Sequence, residues 1–315
     1  MALDLQAQAF LDYLKALGAP PIHTLSPEKN RKGARLIAKK TNLPLQKVAN
    51  IEEHLIPVDD GEIKLRIYTP EGKAPFPILV FFHGGGWVVG DLEVVDPPLR
   101  ALTNSAKVVI VSVDYRLAPE YKFPTAVNDC YLATKWAAEN ASMLGGDVGR
   151  LGVGGESAGG NLAAAVSLMA REKGLPFLSF QVLLYPVTDL SREYPSHRKF
   201  DGYFLTREDM RYFENHYLRN EDDRKNIYAS PLLAEDLSNL PPALVITAGY
   251  DPLHDEGEAY AKRLKKAGVK VLYFCYEDMI HGFFGFGGII DKGKELIELL
   301  ANNLNIILAD QRSRP

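Results

Sequence analysis

One pentapeptide restricts this chain more than any other stretch: Gly155-Glu156-Ser157-Ala158-Gly159, with the apolar run Arg150-Leu-Gly-Val-Gly before it and the Ala-rich run Asn161-Leu-Ala-Ala-Ala after it. A serine with glycine two residues before and two after fits a strand–turn–helix elbow so tight that its neighbours can hardly carry side chains. A serine inside a regular helix or strand cannot present its hydroxyl on a bare apex, and this turn lifts the oxygen above a sheet edge. The helix expected just after Ser157 also aims backbone N–H groups and its positive dipole end at that oxygen. The rest of the chain can be asked what it supplies to this serine.

Hydrophobic patterning sets the frame around the elbow. Ile63 to Tyr68 alternates apolar and polar residues, as a half-exposed strand does. Phe76 to Phe82, Lys107 to Val113, Arg150 to Val153, Leu178 to Leu184, Ala243 to Thr247 and Val271 to Phe274 are continuous apolar runs expected for interior strands. Helical patterns over Ala126 to Glu139, Asn161 to Lys173, Glu256 to Lys266 and Lys292 to Leu308 alternate with most of them. Such alternation implies an α/β architecture, a mostly parallel sheet covered on both faces.

Two segments stand outside that alternation. Residues 1–50 read as polar-faced helices broken at Gly18-Ala-Pro-Pro21, with Leu3, Phe10, Leu14 and Leu17 on one apolar stripe. The stripe needs a surface, either the main body or a pocket that it covers as a lid. Residues 187–240 are polar and aromatic-rich, partly helical, and too long for a simple connection, so they read as an insertion above the sheet. The expected organisation is therefore a core of residues 51–186 and 241–315, with residues 1–50 and 187–240 as a helical cap over it.

Composition narrows the class. A net charge of -4, with no stretch interleaving basic and aromatic residues, gives no electrostatic case for nucleic acid. Two cysteines, Cys130 and Cys275, exclude a disulfide scaffold and read as small buried hydrophobes. The N-terminal residues read as an amphipathic helix rather than a signal peptide, and no run reaches the ~18 apolar residues of a membrane span. A cytoplasmic protein without membrane contact is the expectation. No His, Cys, Asp and Glu cluster has metal-ligand spacing, so neither metal nor cofactor is expected.

His83-Gly84-Gly85-Gly86-Trp87 follows directly on the apolar run ending at Phe82. Its glycines let backbone N–H groups approach a ligand together. A dinucleotide loop is disfavoured: Gly84, Gly86 and Gly90 miss the G-x-G-x-x-G spacing by one residue, and Ser157 stands where the third glycine of the second cluster belongs. As an oxyanion cradle the loop fits, two of its N–H groups joining that of Ala158 around an alkoxide oxygen. A glycine loop and an elbow in one chain form a signature of acyl-transfer enzymes.

A serine nucleophile needs a base. Of the histidines at 23, 54, 83, 197, 216, 254 and 281, only the last lies near the C-terminus, after the strand ending near Phe274 and before glycines. His281 is the expected base, and His83, which precedes the serine, reads as a loop-shaping hydrogen-bonder. The orienting acid should lie between serine and base at a strand end. Asp251 is the first carboxylate past the run Ala243 to Thr247, whereas Asp255 and Glu256 suit the first turn of the next helix. Asp114 is out of order and is expected in an ion pair with a neighbouring arginine.

These blocks carry a resemblance. HGGGW from His83, VDYRLAPEYKFPTAVND from Val113, GESAGGNLAAA from Gly155, LPPALVITAGYDPLHDEG from Leu240 and HGF from His281 resemble the hormone-sensitive-lipase-like family of microbial carboxylesterases. The resemblance implies an α/β-hydrolase core under a helical cap, Ser157, Asp251 and His281 as the triad, and Gly85, Gly86 and Ala158 as oxyanion donors, with Gly84 an alternative in the loop. It also implies that a homodimer through an exposed edge strand is common. The chain departs from the family's usual pattern at Glu156, beside the nucleophile, and at His254, often an arginine.

Hydrolysis of short-to-medium acyl esters through an acyl-serine is the expected chemistry, with a small-molecule ester as partner and Trp87, Tyr203, Phe204 and Leu205 as pocket lining. Long triglyceride tails are disfavoured because no exposed apolar stretch suggests a lipid-interface surface. An amidase or arylformamidase would use the same groups. An oligopeptidase would carry a large additional domain, and a non-catalytic receptor on this fold would lack the histidine.

Overall fold

The computed structural model describes residues 2–312. Its strands are β1 (Asn50–Val58), β2 (Gly61–Thr69), β3 (Phe76–Phe82), β4 (Val109–Asp114), β5 (Gly146–Glu156), β6 (Phe180–Leu184), β7 (Ala243–Tyr250) and β8 (Val271–Ile280). They form one sheet in the order β1-β2-β4-β3-β5-β6-β7-β8. From β4 to β8 every neighbour runs parallel, while β1 and β2 are added antiparallel at one side. The helices are α1 (Leu5–Ala16), α2 (Pro27–Thr41), α3 (Leu92–Ala106), α4 (Thr125–Glu139), α5 (Ala158–Lys173), α6 (Pro195–Lys199), α7 (Arg207–Tyr217), α8 (His254–Lys266) and α9 (Asp291–Arg312).

The apolar runs behave as parallel-sheet strands must. Every residue of β3 is buried, because helices cover both faces and leave no solvent side. The core is accordingly split by the sheet: α4, α5 and α8 pack over one face with Val80, Val153 and Val245, and α3 and α9 over the other with Leu79, Ile110 and Ile246. Helix α5, which leaves the elbow, is buried without interruption from Ala158 to Ala170, and its alanines let it sit close to β5.

Three features depart from the sequence expectation. Strand β1 was not anticipated: it carries the half-buried Glu52 and the exposed Glu53, the charged blunting typical of an edge strand, and it reaches β2 through a turn at Asp59-Asp60. Helix α3 was not anticipated either, since Pro97 and Pro98 lie inside it; its Asp91 cap and its packing on the sheet outweigh the lost N–H donors. Finally, β8 is the other edge of the sheet and is half-buried along most of its length, not an interior strand.

The expected lone roles of two side chains also change. Arg116 does not pair with Asp114; it forks onto the buried carboxylate of Asp129 at 2.9 and 2.8 Å and reaches Asp60 at 2.5 Å. Asp114 instead sits beside His83, with burial pushing its carboxyl up and the imidazole partly offsetting that. Cys130 is buried as expected, but Cys275 is half-buried on β8, its Sγ 3.6 Å from His254 Nε2. That contact, supported by Asp255, raises the His254 imidazole to about 9.

Candidate active site

The elbow is built from β5, Ser157 and the first turn of α5. Ser157 takes φ 54 and ψ -118, a region that side-chain-bearing residues rarely enter and that costs about 1–3 kcal/mol to hold. The surrounding contacts enforce it. A Cβ on Gly159 would lie 1.9 Å from the Phe82 carbonyl, and one on Gly155 would lie 2.4 Å from Gly159, so the turn closes against β3 only with hydrogens at both positions. Ser157 N–H donates to the Leu184 carbonyl at 2.9 Å, which ties the apex to β6.

Residues far apart in sequence meet at this apex. His281, just past β8, places Nε2 2.9 Å from Ser157 Oγ, and its Nδ1 lies 2.7 Å from Asp251 Oδ2. Asp251 is fully buried past the end of β7, and its other oxygen accepts the Leu253 amide at 2.8 Å. Tyr185 packs edge-on against the His281 ring at 4.9 Å and restricts its swing. The competing carboxylates are occupied elsewhere. Asp255 accepts the Ser196 amide at 2.9 Å, and Glu256 accepts the Thr188 amide at 2.6 Å, both within the first turn of α8.

The glycine loop lies across the apex. His83 is buried, stacks on Tyr115 at 4.3 Å and holds its Nδ1 2.7 Å from the Gly84 carbonyl, the loop-shaping place expected of it; burial lowers its imidazole. The Glu156 carboxyl lies against Gly84; burial pushes it up, and the Tyr185 hydroxyl, donating at 2.7 Å, together with the nearby Gly84 backbone, pulls it back down. Among the described residues no hydrogen bond to a protein group occupies the amides of Gly85 or Gly86, and Ala158 begins α5, where first-turn amides lack helical partners. Gly86, at φ 58, is packed so tightly under α7 that a Cβ would sit 2.2 Å from the Phe213 ring.

A cavity of about 790 Å³ opens above Ser157 and His281. Its walls come from the glycine loop, from α1 and α2 through Phe10, Leu14 and Ile37, and from the segment after Pro186 through Leu205 and Phe213. The apolar stripe of α1 thus serves both readings, Phe10 packing inward while Leu14 and Leu17 line the cavity. Of the four expected lining residues, Phe204 and Leu205 do line it. Trp87 borders it, but its ring is buried and stacked on Tyr217 at 4.1 Å, so it acts as scaffold. Tyr203 is not among the lining residues; it packs on Tyr250 at 4.9 Å, turned away by the sharp backbone at Gly202 and Phe204. Sequence reasoning missed Tyr185, Phe213 and His197, which no motif marks. The described residues contain no His, Cys, Asp and Glu group suited to a metal ion, and no helix long and apolar enough to cross a membrane.

Comparison with known proteins follows the same lines. Residues 79–285, from β3 to the loop after His281, match a family model described as an alpha/beta hydrolase fold. The chain belongs to the α/β hydrolases of the hormone-sensitive-lipase and carboxylesterase branch. Within that branch it is similar to an arylesterase of Saccharolobus solfataricus, 43% identical over 290 residues that cover 90% of this chain and 93% of that one. It is 35% identical to an ethyl acetate hydrolase of Pseudomonas putida over 318 residues, 96% of this chain and 99% of the relative. A solved hyperthermophilic esterase from Pyrobaculum calidifontis superposes with a TM-score of 0.93 at 41% identity, covering 98% of this chain and 99% of the other. The chain is an enzyme of the serine-hydrolase, carboxylesterase class.

Proposed function

We propose that the enzyme hydrolyses short-to-medium acyl esters with Ser157 as nucleophile, His281 as general base and acid, and Asp251 as the orienting carboxylate. The observation that carries this reading is the unbroken hydrogen-bonded line from Asp251 through His281 to Ser157, at 2.7 and 2.9 Å, ending in the cavity. His281 takes the serine proton as Oγ attacks the ester carbonyl, and returns it to the departing alcohol. Water then repeats the cycle on the acyl-serine. The carbonyl oxygen, now an anion, is held by the amides of Gly85, Gly86 and Ala158, with Gly84 the alternative donor in the loop.

Residues 1–50 and 187–240 form the cap in this reading, supplying the walls that hold the two arms of the ester. The name of the ethyl acetate hydrolase relative supports a small ester. A homodimer through an exposed edge strand of the sheet belongs to the same reading. Ser157→Ala tests the core of it. The variant should melt as the parent does, fail to turn over a 4-nitrophenyl ester and escape labelling by an organophosphonate; retained turnover removes Ser157 from the mechanism.

A further inference from the structure

One side chain of the cavity wall carries a polar atom for which the described residues supply no partner. His197, on α6, is 6% exposed and lines the same cavity as Ser157 and His281. Its Nε2 lies 3.0 Å from Glu256 Oε2, whereas among the described residues no protein group hydrogen-bonds its Nδ1. That nitrogen is not sealed in the interior, and the residue stands in the cavity wall.

The ring is held in place from behind. Glu256 is 1% exposed, and its Oε1 accepts the amides of Thr188 at 2.6 Å and Asp189 at 3.2 Å. A carboxylate fixed in this way accepts the Nε2–H hydrogen bond and leaves Nδ1 as the working edge of the imidazole. The link to the nucleophile is short: the Val187 amide donates to the Ser157 carbonyl at 3.4 Å, and the next residue, Thr188, holds Glu256. The charged groups nearby are matched among themselves, Arg224 with Glu214 at 2.6 Å, Arg192 with Asp189 at 3.0 Å and Arg207 with Glu193 at 2.5 Å. This wall therefore selects for hydrogen bonding, not for ionic charge.

We propose that His197 Nδ1 is a recognition point for a hydroxyl group on one arm of the ester, which makes hydroxylated esters a preferred substrate class. A hydroxyl is the fitting group because it donates to the neutral ring and accepts from the protonated one. The inference rests on the ester-hydrolase reading of Ser157.

The test compares kcat/KM for matched pairs in which a methyl replaces the hydroxyl. On the acyl arm the pair is 4-nitrophenyl 3-hydroxybutyrate and 3-methylbutyrate; on the alcohol arm it is 2-hydroxyethyl butyrate and propyl butyrate. Two variants separate the ring nitrogens. In His197→Gln the amide stands where Nε2 was, keeping Glu256 partnered and deleting the group at Nδ1; His197→Asn does the reverse. Titration with an organophosphonate puts all rates on a per-site basis. The parent should favour the hydroxylated member on one arm, His197→Gln should cut that ratio roughly fivefold, and His197→Asn should retain more of it than His197→Gln. Ratios near one on both arms of the parent, or a ratio unmoved in His197→Gln, overturn the proposal while leaving ester hydrolysis standing. Absence of Ser157-dependent turnover on every ester brings down both.

Discussion

The contact between Gly86 and Phe213 allows a quantitative test of how the glycine loop, proposed to hold the oxyanion, is fixed in place. Replacing Gly86 by alanine would put a Cβ 2.2 Å from the nearest carbon of the Phe213 ring. Carbon atoms settle at roughly 3.5–4.0 Å, so ring and loop must separate by more than ~1 Å. A shift of that size at the reacting centre costs on the order of 100-fold, and loss of one donor to the developing oxyanion about 100- to 1,000-fold in kcat. Gly86→Ala should therefore lower kcat by roughly 100-fold or more in a 4-nitrophenyl butyrate assay, with KM much less affected. Phe213→Ala removes the obstacle, at an expected stability cost of about 3 kcal/mol for the truncated ring. The double variant should regain about tenfold in kcat over Gly86→Ala alone, the remainder reflecting the ~1–2 kcal/mol that alanine pays at positive φ. A double variant no faster than Gly86→Ala, with folding verified by thermal melting, would refute the claim that the α7 ring sets the position of the loop.

Three further outcomes follow from other parts of the molecule. Asp251→Asn should leave the fold intact but lower kcat by about 10⁴-fold, because the amide favours the wrong imidazole tautomer; a loss below tenfold in stopped-flow turnover contradicts its orienting role. Arg116→Ala strands the fully buried carboxylate of Asp129 and should cost about 3–5 kcal/mol, seen as a fall in Tm of about 5 °C or more with kcat per titrated site unchanged. The His254 imidazole should titrate near 9 by NMR, and Cys275→Ala should move its midpoint down toward the usual histidine range; since the thiol contact raises it, a midpoint that stays put removes Cys275 as the cause.

The legibility of the sequence tracked how local each constraint is. The interior strands β3, β6 and β7 could be read because burial on both faces demands unbroken apolar runs, and the elbow because its glycines are dictated by atoms at 1.9 and 2.4 Å. Chain order brought His281 and Asp251 into consideration, and the hydrogen bonds place both beside Ser157. What escaped was set by partners remote in sequence. The edge strand β1 shows solvent-side charge, which periodicity alone does not separate from a loop. The prolines of α3 contradict local propensity and are tolerated only because the helix is packed on the sheet. Tyr203 and Phe204 are adjacent in sequence and face different surroundings, a distinction made by a backbone reversal at Gly202 that no apolar pattern records. Nothing in the sequence joins His197 to Glu256, 59 residues away, whose carboxylate lies at its ring.

The stacking of Trp87 on Tyr217, with Phe213 seated on Gly86, means that in the proposed mechanism the segment that would select the substrate also braces the amides proposed to hold the oxyanion. Selectivity and turnover in this enzyme therefore share a part. Exchanging the segment after Pro186 to change which esters are accepted will also alter how fast an accepted ester is cleaved, unless Phe213 and Tyr217 are kept in the exchange.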